Sequence, residues 1–484
     1  MVFSTSIFLF IFLPIVLAVY MLAGPRLRNM VLLIASLLFY AWGEHVFVLL
    51  MLTSIVLNWL FGLLIAASQR RGSTGRPLLV LGVAVNLGFL GLFKYANFLV
   101  DNFNPLLLKL QLPPIGLAAV HLPIGISFFT FQAISYLVDV YRLESQPQKS
   151  LLRIALYISL FPQLIAGPII RYKDIASQIT NRAINLDNLT NGIQRFIIGL
   201  GKKVLIANVL GRTADHIFSL SPDILPAGLA WLGAVSYMLQ IYFDFSGYSD
   251  MAIGLGLMFG FRFAENFNLP YSAISIRDFW RRWHISLSTW FRDYLYIPMG
   301  GSKKGTLATY RNLLVVFLLC GLWHGANWTF LAWGLYHGLF LVIERKRPVA
   351  LLLKRLPLYL RHLYVVVVVL CGWVLFRAES LPHAGRFLLA MVDFSTPAYF
   401  DSQLYMFLNN EFYLVLVVAI IASTPVITRL RQFYEKLEND TRHAATLLRS
   451  ISSTCTAGFL GCTFLYAIAS IIGGDYNPFL YFRF

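Results

Sequence analysis

The segment VFVLLMLTSIVLNWLFGLLIAA, Val46 to Ala67, decides the class of fold. It holds no charged residue, and it is long enough to cross the hydrocarbon core of a bilayer, which takes about 20 apolar residues. Comparable apolar runs lie on either side of it, at Ile7 to Leu22, Met30 to Trp42 and Pro77 to Val100. Successive runs of this kind predict membrane-spanning helices, because a helix satisfies its own backbone hydrogen bonds in lipid.

The composition of the whole chain agrees with this prediction. Of the 484 residues, 58% are hydrophobic and 13% are charged, whereas a soluble domain carries about 25% charged side chains. Lipid must therefore cover much of the surface. At about 20 residues a span, we predict an all-α, polytopic integral membrane protein with about eleven transmembrane helices, accompanied by re-entrant and interfacial helices. No large extramembrane domain is expected.

The charge pattern indicates how the chain is oriented. Lys and Arg number 39 against 22 Asp and Glu, which gives a formal net charge of +17. The basic residues form short clusters between apolar runs, which is typical of cytoplasmic loops and does not favour nucleic-acid binding. Basic residues follow the first and third runs, and the acidic residues Glu44 and Asp101 follow the second and fourth. We therefore predict that the N-terminus lies outside the cytoplasm.

One candidate catalytic residue lies in CGLWHGANWTFLAWGLYHG, Cys320 to Gly338. His324 is an ionisable side chain within an apolar run, where such groups are costly and functional use is the default hypothesis. A neutral imidazole there can accept a proton. On a continuous helix Asn327 and Trp328 share its face, so that the amide can orient the ring or a substrate. The alternative is a structural histidine bonded between helices, which is the favoured interpretation of His337.

A second candidate region is RDFWRRWHISLSTWFRDYLY, Arg277 to Tyr296. Its spacing predicts one amphipathic helix with Arg277, Arg281 and His284 on one stripe and Trp283 on the neighbouring stripe. An interfacial helix whose arginines contact lipid phosphates explains this pattern. The functional alternative is a basic face that binds an anionic donor, such as a coenzyme or a phosphopantetheine arm, with His284 near the reaction centre.

Polar residues also interrupt apolar runs at Gln240, at DFSGYSD (Asp244 to Asp250) and at PQLIAGPIIR (Pro162 to Arg171). Such breaks persist in a bilayer only where protein or a water-filled cavity surrounds them, so the middle of the chain is where a site is expected. Transporters build sites from interrupted helices too. From these residues alone an acyl-transfer enzyme and a secondary transporter or exporter subunit remain rivals. A scaffold for an export complex is disfavoured by the short loops.

Four long strings carry a resemblance to a known family. They are FPQLIAGPIIR (Phe161 to Arg171), QIYFDFSGYSDMAIGLGLMFGFRFAENFNLPY (Gln240 to Tyr271), FWRRWHISLSTWFRDYLYIP (Phe279 to Pro298) and GLWHGANWTFLAWG (Gly321 to Gly334). In content and order they resemble the membrane-bound O-acyltransferases, in the branch of the bacterial alginate O-acetyltransferases. The resemblance implies one membrane domain, 1–484, with a narrow central tunnel. Within it, 1–104 supply N-terminal helices, 105–345 the catalytic core and 346–484 C-terminal helices.

The resemblance also implies an activity. The family's essential histidine maps onto His324, as general base, and its second characteristic polar position onto His284. Acetyl-CoA or another cytosolic acetyl thioester is the implied co-substrate, and no bound cofactor or metal is expected. The acceptor is a secreted polysaccharide such as alginate or cellulose, or a peptidoglycan, reached directly or through a periplasmic partner protein. The implied location is the bacterial inner membrane, among its lipids, with a periplasmic N-terminus. Substrate or donor contacts are expected from Arg281, Trp283, Asn327, Gln240 and Ser246.

Overall fold

The computed structural model describes residues 1–396, 402–430, 432, 445–474 and 476–478, and within these ranges it contains helices and loops but no strand. The first part of the chain forms α1 Leu13–Leu22, α2 Arg28–Glu44, α3 Val48–Arg70, α4 Arg76–Leu90, α5 Ala96–Lys109, α6 Ile126–Tyr141, α7 Leu151–Ser159, α8 Phe161–Leu164 and α9 Tyr172–Thr180. The middle part forms α10 Leu186–Gly201, α11 Asn208–Ser219, α12 Ala227–Met258, α13 Ile276–Arg282, α14 Ile285–Phe291, α15 Thr306–His324 and α16 Trp328–Arg345.

The last part forms α17 Arg347–Arg355, α18 Leu358–Arg377, α19 Leu381–Ala390, α20 Ser402–Phe407, α21 Asn410–Ala422 and α22 Ala445–Ile472. Wider π-helical turns occur at Phe8–Phe12, Gly91–Tyr95, Lys202–Ala207 and Arg292–Tyr296, and 3₁₀ turns at His45–Phe47, Pro222–Ile224 and Pro270–Ser272. π-Helical turns inside helices are frequent at functional sites. Two of these turns carry residues of the cavities described below.

Several stretches are long and apolar enough to cross a membrane. In the described part of the chain there are five, Arg28–Arg70, Arg76–Lys109, Thr306–His324, Leu358–Arg377 and Ser452–Ile472. Shorter apolar helices lie at Phe8–Leu22, Ile126–Tyr141 and Asn410–Ala422. The predicted all-helical, multi-pass architecture is confirmed. The figure of about eleven spans stays a prediction.

The two ends of the helical bundle can be told apart by their residues. Glu44 is separated from the start of α3 by a single 3₁₀ turn, and α3 is 23 residues long, so Glu44 and Arg70 lie at its opposite ends. Gln69 donates a hydrogen bond to the carbonyl of Tyr141 at 2.8 Å, which places the end of α6 beside Arg70. His121 lies 3.1 Å from the Glu44 carboxylate. These two ends are called the Arg70 end and the Glu44 end below.

The polar string Asp244 to Asp250 does not interrupt its helix. α12 runs unbroken through it, because basic residues of the neighbouring segment neutralise its carboxylates. The Lys203 ammonium lies 2.6 Å from Asp244, and both side chains are buried. Asp250 accepts from Arg195 at 2.6 Å and from Lys202 at 2.7 Å. The string therefore joins α12 to α10 and the π-helical turn that follows it, which corrects the expectation of a broken helix.

The motif around His324 forms two helices, α15 and α16, that cross in close contact. A Cβ atom added to Gly321 would overlap the carbonyl of Phe330, and one added to Gly334 would overlap the carbonyl of Phe317. Only glycine lets two helix backbones approach this closely. The crossing fixes the end of α15, and with it His324, against the start of α16.

Candidate active site

His324 is the last residue of α15, and its side chain is held by aromatic rings. Gly325 is extended, with φ of −167°, so the helix ends at the histidine. The ring centroid lies 4.9 Å from that of Trp323, 5.2 Å from that of Trp333 and 5.2 Å from that of Phe376. The buried Nδ1 atom has no hydrogen-bond partner among the described residues. Packing rather than hydrogen bonding therefore positions the imidazole.

The end of α15 at His324 corrects the expectation for Asn327. The prediction that Asn327 and Trp328 share a helical face with His324 is wrong, because three residues separate the two helices. Instead Asn327 caps α16, where its side-chain oxygen accepts from Thr329 N at 3.0 Å. Its amide nitrogen donates to the carbonyl of Glu379 at 3.2 Å. The amide is thus already occupied by the backbone.

A cavity of about 320 Å³ leads to His324 from the Glu44 end. Its lining includes Lys94, His121, Ser127, Ile165, Trp323 and His324. The whole cavity is called the histidine cavity below. The side chain of His121 is 59% exposed and marks its outer part. A small molecule or a single side chain entering here reaches the imidazole of His324.

Lys94 is a residue of this cavity that the sequence analysis missed. It lies in the π-helical turn between α4 and α5. Its ammonium lies 2.5 Å from the carbonyl of Trp323 and 3.2 Å from that of His324. Tyr95 donates to the carbonyl of Leu322 at 2.8 Å. The last carbonyls of a helix have no partner within the helix and attract cations, so Lys94 and Tyr95 together fasten the end of α15.

A second cavity, of about 630 Å³, lies at the Arg70 end. Its cationic lining residues are Arg277, Arg281, Arg292, Arg345, Lys354 and Arg361, and Trp280 and Glu344 also contribute. Arg142, next to the end of α6, donates to the carbonyl of Asp293 at 3.1 Å, which places Arg292 at the Arg70 end. The Glu344 carboxylate accepts from the backbone of residues 276 and 277. This basic cavity is suited to an anion with several negative charges.

The residues of the predicted amphipathic helix separate in the structure. The single helix predicted over Arg277 to Tyr296 is wrong, because it breaks between α13 and α14, where His284 has φ of +43°. Arg281 lines the basic cavity, whereas His284 is fully buried and does not. Trp283 is also buried, with its ring centroid 4.8 Å from that of Trp373. Because of the break, Arg281 lies at the basic cavity, whereas His284 lies in the protein interior.

The break brings His284 close to His324. The His284 ring centroid lies 6.2 Å from that of Trp323, which in turn lies 4.9 Å from that of His324. The two imidazoles are near enough to affect each other electrostatically. Nδ1 of His284 lies 3.1 Å from the side-chain oxygen of Asn266, a second residue that the sequence analysis missed.

Two tryptophan rings link the basic cavity to His324 through successive ring contacts. Trp280 lines the basic cavity, and its ring centroid lies 5.6 Å from that of Trp333. Trp333 in turn contacts His324, at 5.2 Å between centroids. These two rings are called the tryptophan pair below, and the tunnel that the resemblance implies stays a prediction.

The remaining predicted site residues lie on α12. Gln240 and Ser246 are buried, and neither lines either of the two cavities. Gln240 Oε1 and Ser246 Oγ have no hydrogen-bond partner in the part of the chain that the structure describes. In the same part, no group of three His, Cys, Asp or Glu side chains is arranged to hold a metal ion.

Comparison with known proteins agrees with this architecture. Residues 126–347 match the model of the MBOAT, membrane-bound O-acyltransferase family. The chain is also 45% identical over 494 residues to the probable alginate O-acetylase AlgI of Pseudomonas putida, an alignment that covers the whole of both proteins. The chain therefore belongs to the membrane-bound O-acyltransferase family and is a membrane-bound acyltransferase.

Further relatives share the full length of the chain. The probable alginate O-acetylase AlgI of Azotobacter vinelandii is 43% identical over 505 residues, covering 100% of both chains. The peptidoglycan O-acetyltransferase of Helicobacter pylori is 36% identical over 526 residues, covering 100% of this chain and 98% of the relative. The first relative is thus named for the O-acetylation of alginate and the second for that of peptidoglycan.

Proposed function

We propose that this protein transfers an acetyl group from a thioester donor, bound at the Arg70 end, to a hydroxyl acceptor at the Glu44 end. The transfer serves the O-acetylation of a secreted polysaccharide, with alginate as the first candidate because relatives of full length carry that name. One observation carries the proposal. The histidine cavity reaches His324 from the Glu44 end, and the basic cavity at the Arg70 end is linked to the imidazole by the ring contacts of the tryptophan pair.

The donor is proposed to be acetyl-CoA or another acetyl thioester with an anionic carrier. Its phosphate groups suit the basic cavity, where Arg281 and its cationic neighbours outnumber the one carboxylate, Glu344. Arginine binds phosphate strongly because its planar fork donates two parallel hydrogen bonds. With the phosphates held there, the thioester end of the donor points past Trp280 towards His324.

His324 is proposed to act as the general base. It removes the proton of the acceptor hydroxyl, whose oxygen attacks the thioester carbonyl and forms a tetrahedral intermediate. The carbon–sulfur bond then breaks, and the departing thiolate takes the proton back from the imidazolium. The buried indole nitrogens of Trp280 and Trp333 have no hydrogen-bond partner among the described residues. They are therefore candidates to stabilise the oxyanion, in place of Asn327.

The acceptor is proposed to enter through the histidine cavity. A volume of about 320 Å³ admits a sugar unit or one serine side chain but not the length of a polymer. Transfer is accordingly to an exposed sugar hydroxyl or to a serine on a periplasmic partner protein, which passes the acetyl group on. In this arrangement the Glu44 end and the N-terminus face the periplasm, the Arg70 end faces the cytoplasm, and the membrane is the inner membrane.

The test uses the purified protein in proteoliposomes with radiolabelled acetyl-CoA and an acceptor oligosaccharide. We expect label on the oligosaccharide and its loss in His324→Ala, with His45→Ala, an exposed histidine outside both cavities, as the matched control. Flux of a substrate across the vesicles without consumption of acetyl-CoA would instead identify a transporter. A folded His324→Ala protein with full acetyl transfer would exclude His324 as the base.

A further inference from the structure

His284 has a backbone conformation that non-glycine residues rarely adopt. Its φ of +43° is left-handed, and such a conformation persists only where surrounding contacts enforce it. Asn266 supplies those contacts. Its carbonyl accepts from Ile285 N at 2.9 Å, and its side-chain oxygen accepts from Ser286 N at 3.2 Å and from Ser286 Oγ at 2.9 Å. One buried asparagine therefore holds the turn on which His284 lies.

The same contacts determine which way the Asn266 amide points. A backbone N–H can only donate, so the atom facing Ser286 N must be the side-chain oxygen, not the side-chain nitrogen. The nitrogen then donates in the other direction, to Ser249 Oγ at 3.1 Å. This orientation is fixed by the hydrogen-bond network.

The amide orientation determines the tautomer of His284. Nδ1 of His284 lies 3.1 Å from the same Asn266 oxygen, which can only accept. Nδ1 must therefore carry the proton of the neutral imidazole, and the lone pair is on Nε2. Ser286 Oγ also accepts from Ile169 N at 2.9 Å. The network thus joins four separate segments of the chain around this one ring, at Ile169, Ser249, Asn266 and His284 to Ser286.

We propose that Asn266 is a positioning residue for acyl transfer. It keeps His284 as the tautomer protonated at Nδ1, so that Nε2 is the proton acceptor that His284 presents beside His324. The inference rests on the proposed function, since it assigns Asn266 a part in that reaction. Asn266 does not touch the substrate in this proposal and acts only through His284.

The surroundings of His284 make the effect of Asn266 measurable. Phe245 of α12, Phe267 of the loop and Trp323 of α15 pack around the ring. The nearby titratable group of α15 is His324, on which His284 acts electrostatically. The charge that acts on His324 is Lys94, which is bonded to the carbonyls of Trp323 and His324. A new charge at position 266 would therefore be sensed directly by His284.

The first test compares Asn266→Ala, Asn266→Asp and the control Asn268→Ala in the acetyl-transfer assay, after size-exclusion chromatography has confirmed folding. Asn268 is exposed in the same loop. We expect Asn266→Ala to lower kcat about 100-fold, which is within the range of a lost acid–base contribution, with little change in the KM for acetyl-CoA. Asn268→Ala should match the parent protein.

Asn266→Asp keeps an oxygen that accepts from Nδ1 of His284 and from Ser286, so we expect it to restore activity at high pH. Its carboxylate favours the protonated imidazole, so the loss of activity on acidification should begin at a higher pH than in the parent protein. A folded Asn266→Ala protein with the parent kcat and pH profile overturns the proposal. A folded Asn266→Asp protein that is as inactive as Asn266→Ala also overturns the proposal.

A second measurement does not depend on the reaction. ¹⁵N NMR of histidine-labelled protein, with His284→Gln used for assignment, reports which ring nitrogen carries the proton. We expect a protonated Nδ1 in the parent protein and a mixture of tautomers in Asn266→Ala. A proton on Nε2 in the parent overturns the inference. Correct tautomers without acetyl transfer would instead contradict the proposed function alone.

Discussion

Replacing Lys94 with methionine removes the cation at the end of α15 and is expected to weaken catalysis more than folding. The ammonium lies 2.5 Å from the carbonyl of Trp323 and 3.2 Å from that of His324. Methionine is of similar length but cannot donate a hydrogen bond. The carbonyls of Trp323 and His324 then lose the hydrogen bonds from the ammonium, and His324 is held less firmly.

The expected size of the effect follows from these two contacts. A hydrogen bond to a charged group contributes about 1.5 to 3 kcal/mol. Removing a buried ammonium also removes its desolvation cost, which offsets part of the loss of two such bonds. A net loss of about 2 kcal/mol in the positioning of His324 corresponds to a decrease of about 30-fold in kcat. The KM for acetyl-CoA should not change, because the basic cavity lies on the other side of the tryptophan pair.

The assay measures acetyl transfer in proteoliposomes for the parent protein, Lys94→Met and the charge-preserving control Lys94→Arg. We expect Lys94→Arg to retain more activity than Lys94→Met, because guanidinium can still donate to the carbonyls. Thermal unfolding of each variant separates lost positioning from lost folding. A folded Lys94→Met protein with the kcat of the parent would refute this reasoning.

Other substitutions test the remaining features. Arg281→Glu should raise the KM for acetyl-CoA by about tenfold or more through charge repulsion. The control Lys303→Glu, which is exposed and outside the basic cavity, should leave that KM unchanged. Equal KM values for the two variants would exclude the basic cavity as the donor site. Trp280→Ala should increase the hydrolysis of acetyl-CoA in the absence of acceptor, measured as released thiol, because water can then pass between the two cavities. No increase would contradict the role of the tryptophan pair as a barrier to water. Gly334→Ala should destabilise the protein by about 1 to 3 kcal/mol or more, since its Cβ overlaps a carbonyl of α15. The control Gly458→Ala has open space around the added Cβ and should not. Equal unfolding temperatures for the two variants would argue against the close crossing of α15 and α16.

The sequence was informative where a single residue departs from its surroundings. His324 was identified because an ionisable group in an apolar run is costly, and the structure places it at the inner end of a cavity. The same rule identifies Lys94 within the run Pro77 to Val100. Because that run is also long enough to be a span, the signal from Lys94 within it is easily overlooked.

The sequence was misleading where contacts between distant segments decide the backbone. The spacing of Arg281 and His284 fits one helix, and no glycine or proline marks the break between them. The break is held by Asn266, which local periodicity cannot reveal. Likewise, the carboxylates of Asp244 and Asp250 looked like an interruption until partners from another segment neutralised them. Such pairings depend on the tertiary structure.

The tryptophan pair has a consequence for the cell's energy supply. A water-filled channel through this protein would let protons flow down their electrochemical gradient and dissipate the energy stored across the membrane. In the proposed arrangement, two indole rings with centroids 5.6 Å apart take the place of such a channel, and only an acetyl group is passed on beside them. If transfer follows the proposed route, the modification reaches the far side of the membrane without a path for ions.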